Sequence, residues 1–195
     1  MQRFLDAALE LMSTTSGKDF TVQEVVERSG QSLRSFYQYF DGKYELLLAL
    51  FEDAVRNTAE QLQAQIAGET DPLTRLHITI VEYYKLCRPP AKGRGARKAP
   101  AALAEFAQQL LTEHPKEASR AFTPLVELFE AVLADAAKAG AIRDDMRSRR
   151  IAGFVLQSIM FNAFVTTISG SWRADGDDVA EEMWDLLLHG LEVPS

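Results

Sequence analysis

One cysteine, Cys87, occurs in 195 residues. An intramolecular disulfide is therefore excluded, and the composition suits a reducing compartment. Positive charge is also short, with 21 Lys and Arg against 28 Asp and Glu and a net charge of −7 at pH 7. Such a molecule repels polyanions as a whole, so any affinity for nucleic acid must come from a local basic surface. Histidines are few and scattered: His77, His114 and His189 fall on different expected helices. Only His114 with Glu117 has a ligand-like spacing, whereas a zinc site needs three or four converging ligands. There is no Ser/His/Asp order, no glycine-rich phosphate loop after a strand and no reactive cysteine pairing. No catalytic residue, metal or cofactor is expected, and the chain does not read as an enzyme.

Strand-like alternation of any length is missing, as are an internal repeat and a charged-then-apolar leader. The first absence predicts an all-α fold, and the last points away from secretion, toward the cytoplasm. Uncharged runs are likewise scarce. The one from Ile151 to Ile168 reaches the length of a membrane span, but Gly153, Gln157, Ser158, Asn162, Thr166 and Thr167 interrupt it. A helix apolar nearly all round is also expected where both sides are buried, here between its own core and a second subunit.

What is present begins with Thr21 to Phe40, TVQEVVERSGQSLRSFYQYF. Thr21 followed by Glu24 makes a capping box. Val22, Val25 and Val26 give that helix an apolar face, and Gly30 can take the left-handed conformation of a tight turn. Ser32 caps a second helix, in which Leu33, Phe36, Tyr37 and Phe40 recur at helical spacing and are expected inward. Arg34, Ser35, Gln38 and Tyr39 are left on or near the other side. A short helix presenting a cation, a hydroxyl and an amide is what reading a major groove requires, with Arg34 suited to guanine and Ser35 and Gln38 to neighbouring bases. The segment is a helix-turn-helix candidate.

With its flanks, this segment resembles the N-terminal domain of the tetracycline-repressor (TetR) family of transcriptional regulators. The features run in order from Phe4 to about Leu50: an opening helix FLDAALELM, then TVQEVVERSG, the cluster Phe36-Tyr37-Gln38-Tyr39-Phe40, and Gly42-Lys43 starting a long helix. The resemblance implies that Thr21, Ser32, Tyr37, Tyr39 and Lys43 occupy phosphate-contacting positions. It implies a homodimer on double-stranded operator DNA, approximately palindromic, with the last two helices, about Arg147–Trp172 and Val179–Leu191, forming a four-helix interface. Two positions depart from the family pattern. Gln31 stands where a small apolar residue is usual, and only Met1, Gln2 and Arg3 precede Phe4 where a basic arm is usual. Those departures support an alternative, a dimeric ligand-binding or interaction protein that no longer reads DNA sequence.

The remaining helices follow from caps and periodicity. The first is expected over Arg3 to Ser13, and a long one over Lys43 to about Ala67 with Tyr44, Leu47, Leu48, Phe51, Ala54, Val55, Thr58 and Leu62 inward. Asp71-Pro72 and Thr123-Pro124 each read as a cap followed by a first-turn proline. A helix from Ala101 with Leu103, Phe106, Leu110 and Leu111 inward stops at Pro115. Arg88 to Pro100, RPPAKGRGARKAP, is a basic loop, read either as a solvated connection or as an attractor of an anionic partner. A final helix is expected to turn Val179, Met183, Leu186, Leu187 and Leu191 to one side. The expected domains are residues 1–45, a three-helix DNA-binding unit, and residues 46–195, a larger helical ligand-binding and dimerisation unit. In the latter, Tyr83, Tyr84, Phe106, Phe129, Met160 and Phe161 either converge on an apolar effector pocket or pack as ordinary core. Ser158, Asn162 and Thr166 form a polar stripe that either orients a small-molecule effector or packs between subunits.

Overall fold

The computed structural model describes residues 1–14, 19–87, 98–169 and 176–191. Ten helices occur among the described residues, in the order α1 Gln2–Thr14, α2 Val22–Ser29, α3 Leu33–Tyr37, α4 Lys43–Ile66, α5 Pro72–Leu86, α6 Lys98–Glu113, α7 Pro115–Ala121, α8 Thr123–Lys138, α9 Ser148–Ser169 and α10 Gly176–Leu191. No strand occurs among those residues, and the fold is all-α. Likewise, no described helix is long and apolar enough to cross a membrane, α9 included. The basic run from Arg88 to Arg97 and the ends of the expected α9 and α10 (Trp172, Asp175) lie outside the described residues, while Lys98 to Pro100 begin α6.

The chain divides into two compact units, Met1–Ala54 with Pro89–Ala121 and Val55–Arg88 with Phe122–Ser195. A division at residue 45 is expected from the sequence, but α6 and α7 join the first unit. The reason is aromatic packing. Phe106 of α6 is fully buried and meets Tyr44 and Phe51 of α4 at ring distances of 5.8 and 6.2 Å. Elsewhere in this unit α1 packs on α2 and α6. Phe4 lies edge-on to Phe36 at 5.4 Å and to Phe40 at 6.2 Å. Phe4, Phe20, Phe36, Val25 and Leu46 are all buried, and each large apolar side chain so removed from water contributes about 1.5–3 kcal/mol.

In the second unit, α5 packs against α8, α9 and α10, and α8 against α9. Tyr83 meets Phe129 edge-on at 5.4 Å. The chain's last described turn is tied back by Arg143 N–H, which donates to the Leu191 carbonyl at 2.8 Å. Helix α9 is two-sided. Ile151, Val155, Leu156, Ile159 and Ala163 are buried in its own unit, whereas Phe154, Ser158, Phe161 and Val165 form an exposed stripe at i, i+4, i+7 and i+11.

Several local expectations are corrected. As expected, α6 stops just before Pro115; what the sequence does not indicate is that Pro115 then starts α7 as a first-turn proline, with Ala118 N–H donating to the His114 carbonyl. Thr123 is not a cap. Phe122 holds that position in right-handed helical conformation with no side-chain cap, because the chain arrives from α7 already helical. Leu111 and Leu186 are exposed, not inward, and Ala180 and Trp184 supply the buried face of α10 instead. Tyr44 sits at the edge of its stripe, and Leu46, Leu50 and Ala59 are buried in addition to the residues expected.

Candidate nucleic-acid interface and effector pocket

Helix α2 is fixed at both ends by hydrogen bonds, a capping box at its start and a left-handed glycine at its finish. Thr21 Oγ1 accepts from Glu24 N–H at 3.2 Å, while the Glu24 carboxylate accepts from Thr21 N–H at 2.6 Å and from its hydroxyl at 2.9 Å. These bonds, the backbone one foremost, hold the Glu24 carboxyl below its usual range. At the other end Gly30 adopts φ 64°, and the N–H groups of Gly30 and Gln31 return to the carbonyls of Glu27 and Val26. This is a Schellman-type ending, and a side chain at Gly30 would strain it. Gln31 is accommodated without loss of the turn, its side-chain amide directed at the Gly30 carbonyl.

Ser32 then caps α3 by accepting from Ser35 N–H at 3.0 Å. Phe36 is the buried anchor of α3, and around it Leu33, Arg34, Tyr37, Gln38 and Tyr39 are exposed. Leu33 and Tyr37 depart from the inward placement expected from spacing. A five-residue helix turns only one narrow face to the core, and Phe36 with Phe40 fills it. Among the described residues no carboxylate pairs with Arg34, whereas Arg28 is bridged to Glu10. Lys43 is half-buried, its ammonium donating to the Phe20 carbonyl and lying 4.5 Å from the Phe20 ring centre. Residues 1–50 hold five Lys or Arg against seven Asp or Glu. The face around α3 therefore owes its character to individual side chains, not to bulk charge.

Of the expected effector residues, the second unit brings together Tyr83, Tyr84, Phe129 and Asn162. Tyr84 Oη donates to Asn162 Oδ1 at 3.2 Å, joining α5 to α9 beside the Tyr83–Phe129 contact. Met160 is half-buried. Phe106 belongs to the first unit, and Phe161 is 68% exposed on the outer stripe of α9, so neither joins that group. A separate cleft of about 580 Å³ lies among α4, α5 and α8 of the second unit. Its walls include Ile66, Leu128 and Val132, and its charged lining is mixed: Arg56 and Arg75 with Glu60, Glu69 and Glu127. Arg75 reaches Asp135 at 3.4 Å, and its buried Nε has no hydrogen-bond partner. Periodicity marks Leu128 and Val132 as apolar positions of α8 but does not reveal the cleft, because a groove is made by three helices far apart in sequence.

Burial pushes the Cys87 thiol up to about 12, which removes it as a nucleophile near neutrality. Among the described residues no three His, Cys, Asp or Glu side chains are grouped to hold a metal ion.

Comparison with known proteins fits this arrangement. Residues 4–50 match the model of a family described as bacterial regulatory proteins, tetR family. The uncharacterized HTH-type transcriptional regulator YvdT of Bacillus subtilis (strain 168) is 29% identical over 83 residues, which is 43% of this chain and 43% of that protein. The matched stretch thus spans less than half of that relative. FadR from Bacillus subtilis, solved in complex with stearoyl-CoA, superposes with a TM-score of 0.76 at 16% identity, over 98% of this chain and 99% of its own. Thermus thermophilus FadR, a TetR-family transcriptional repressor in complex with lauroyl-CoA, gives 0.72 at 21% identity, over 100% and 96%. A TetR-family regulator from Pectobacterium atrosepticum gives 0.72 at 19% identity, over 99% and 95%. At these identities the likeness is one of fold.

Proposed function

Residues 4–50 match the family of bacterial regulatory proteins, tetR family, and on that premise we propose that the chain is a homodimeric, cytoplasmic DNA-binding repressor of that family, released from its operator by a small amphipathic ligand. The observation that carries the proposal is the exposed set Arg34, Tyr37, Gln38 and Tyr39, presented by an α3 whose start is capped and whose back is anchored by Phe36. Arg34 is assigned to guanine and Ser35 and Gln38 to adjacent base edges. Thr21, Ser32, Tyr37, Tyr39 and Lys43 are assigned to phosphates, the half-buried Lys43 reaching DNA by exchanging its Phe20 contact.

Dimerisation is assigned to the outer faces of α9 and α10. Phe154, Phe161 and Val165 make one apolar stripe, and Leu186 of α10 is 71% exposed. A second copy is proposed to cover those side chains by two-fold symmetry, and α3 helices related by a two-fold axis suit successive major grooves of a palindromic operator. The effector is assigned to the second unit, with Tyr83, Tyr84, Phe129, Met160 and Asn162 as candidate lining, an aromatic set that suits an apolar or amphipathic molecule. Acyl-CoA thioesters, the ligands bound in the two FadR structures, are the class to try first. Ligand that favours one of two arrangements of the dimer is sufficient to shift DNA affinity.

Fluorescence anisotropy on the duplex upstream of the protein's own gene, against a scrambled duplex across a salt series, tests the reading. The expected result is a preference for the native duplex that persists at high salt. Binding that is salt-sensitive but blind to sequence would favour the alternative, a dimeric ligand-binding or interaction protein. The acidic balance of residues 1–50 is the observation on that side.

A further inference from the structure

Leu33 is an aliphatic side chain of the reading helix that packing leaves outward. It is 43% exposed although its spacing marks it for the core, and the anchoring role falls to Phe36, which is fully buried. Its backbone is fixed nonetheless. Ser32 Oγ accepts from Ser35 N–H at 3.0 Å, and Phe36 N–H donates to the Ser32 carbonyl at 3.0 Å. Leu33 and Tyr37 lie four residues apart on one side of α3, and Tyr37 is 55% exposed with its ring edge-on to Phe36. Arg34 is the adjacent cation, and Leu33 beside it presents an exposed apolar surface.

In the major groove only thymine carries a methyl group, so an apolar side chain there distinguishes thymine from the other three bases. We infer that Leu33 is a specificity-determining residue that packs on the C5-methyl of one thymine in each half-site, next to the base pair read by Arg34. The inference rests on the assignment of α3 to the DNA major groove made above. Leu33 supplies no hydrogen bond, so it adds selectivity for thymine without adding electrostatic attraction.

The test separates this residue's role from DNA binding itself. A preferred duplex is first selected from a random pool with the purified full chain. Each thymine is then replaced singly by deoxyuracil, which deletes the methyl group and keeps the base pair. The wild-type protein should lose about fourfold in affinity at one symmetric pair of positions, the scale set by burying one methyl group. L33A should bind the thymine and uracil duplexes equally at that pair, L33M should keep the difference, and both should melt like the wild type because the side chain is exposed. Uracil effects that are absent, or that survive unchanged in L33A, would overturn the inference while leaving the DNA-binding assignment intact. Failure to select any duplex would overturn both.

Discussion

The Tyr44 hydroxyl donates a hydrogen bond to the Glu117 carboxylate, linking the first turn of α4 to α7 within the first unit. The Tyr44 ring also lies 5.0 Å from that of His114, at the junction of α6 and α7. Partial burial and the neighbouring carboxylate together push the Tyr44 phenol up to about 12. A Tyr44→Phe substitution keeps the ring and deletes the bond. The expected loss is about 0.5–1 kcal/mol, at the low end for a hydrogen bond because the site is partly exposed. Calorimetry would register a Tm lower by roughly 2–4 °C, and alkaline titration at 295 nm would lose a late-ionising tyrosine. Loss instead of a tyrosine that ionises in the ordinary phenol range would remove the link between Tyr44 and Glu117.

Arg34 and Lys43 should differ in kind. Arg34→Ala is expected to lower affinity for the preferred duplex and to flatten discrimination at one base pair by about 1–3 kcal/mol. Lys43→Ala should weaken all duplexes alike and reduce the salt slope by about one. Because Lys43 also holds the Phe20 carbonyl, its variant should melt earlier as well. Gel shifts across single-base variants decide the matter, and identical specificity profiles for the two would refute the division of labour.

Acid should act through the capping box. The Glu24 carboxyl is held below its ordinary value of 4.5 chiefly by the backbone N–H of Thr21, then by the Thr21 hydroxyl. A depressed carboxyl contributes stability that is complete above the unfolded value and is lost as pH falls through the folded one. The stability difference between the wild type and Glu24→Gln should therefore be constant from neutrality down to about pH 4.5 and shrink below it. Urea titrations at a series of pH values measure this. Thr21→Ala, which deletes the cap hydroxyl, should cost about 1 kcal/mol at pH 7.

A charge on the outer stripe of α9 should split the dimer. Phe161→Glu places a carboxylate where two apolar faces are proposed to meet, while leaving the buried side, Ile159 and Ala163, untouched. Analytical ultracentrifugation is expected to show monomer for the variant and dimer for the wild type, with melting now dependent on protein concentration only in the latter. Monomer in both cases would withdraw the assignment of this face.

Local caps and turns were legible because each is encoded within a few residues. Thr21 with Glu24, Gly30, Ser32 and Asp71-Pro72 all behave as their chemistry dictates. Helical spacing correctly marks Phe4, Val25, Phe36 and Leu47 as buried. It fails where length or neighbours intervene. Leu33 and Tyr37 follow the same spacing as Phe36, but a helix of five residues has too little inner surface to bury all three. Thr123-Pro124 resembles Asp71-Pro72, yet α7 delivers the chain already helical, so no cap is needed. Phe106 and Phe161 look alike in sequence; one is sealed against Tyr44 and Phe51 and the other faces solvent, a distinction made only by which helices pack on them. The cleft beside Arg75 is invisible for the same reason.

The brevity of α3 carries a consequence for how much information one subunit can extract. Five residues advance only about 7.5 Å, little more than two base-pair steps of roughly 3.4 Å each. Such a short probe can interrogate about three consecutive letters, a word that recurs by chance throughout any genome. Rarity must then arise from demanding two copies of that word at a fixed separation. The rigidity of the pairing between subunits, and not the richness of either reader, would set how few addresses the protein recognises.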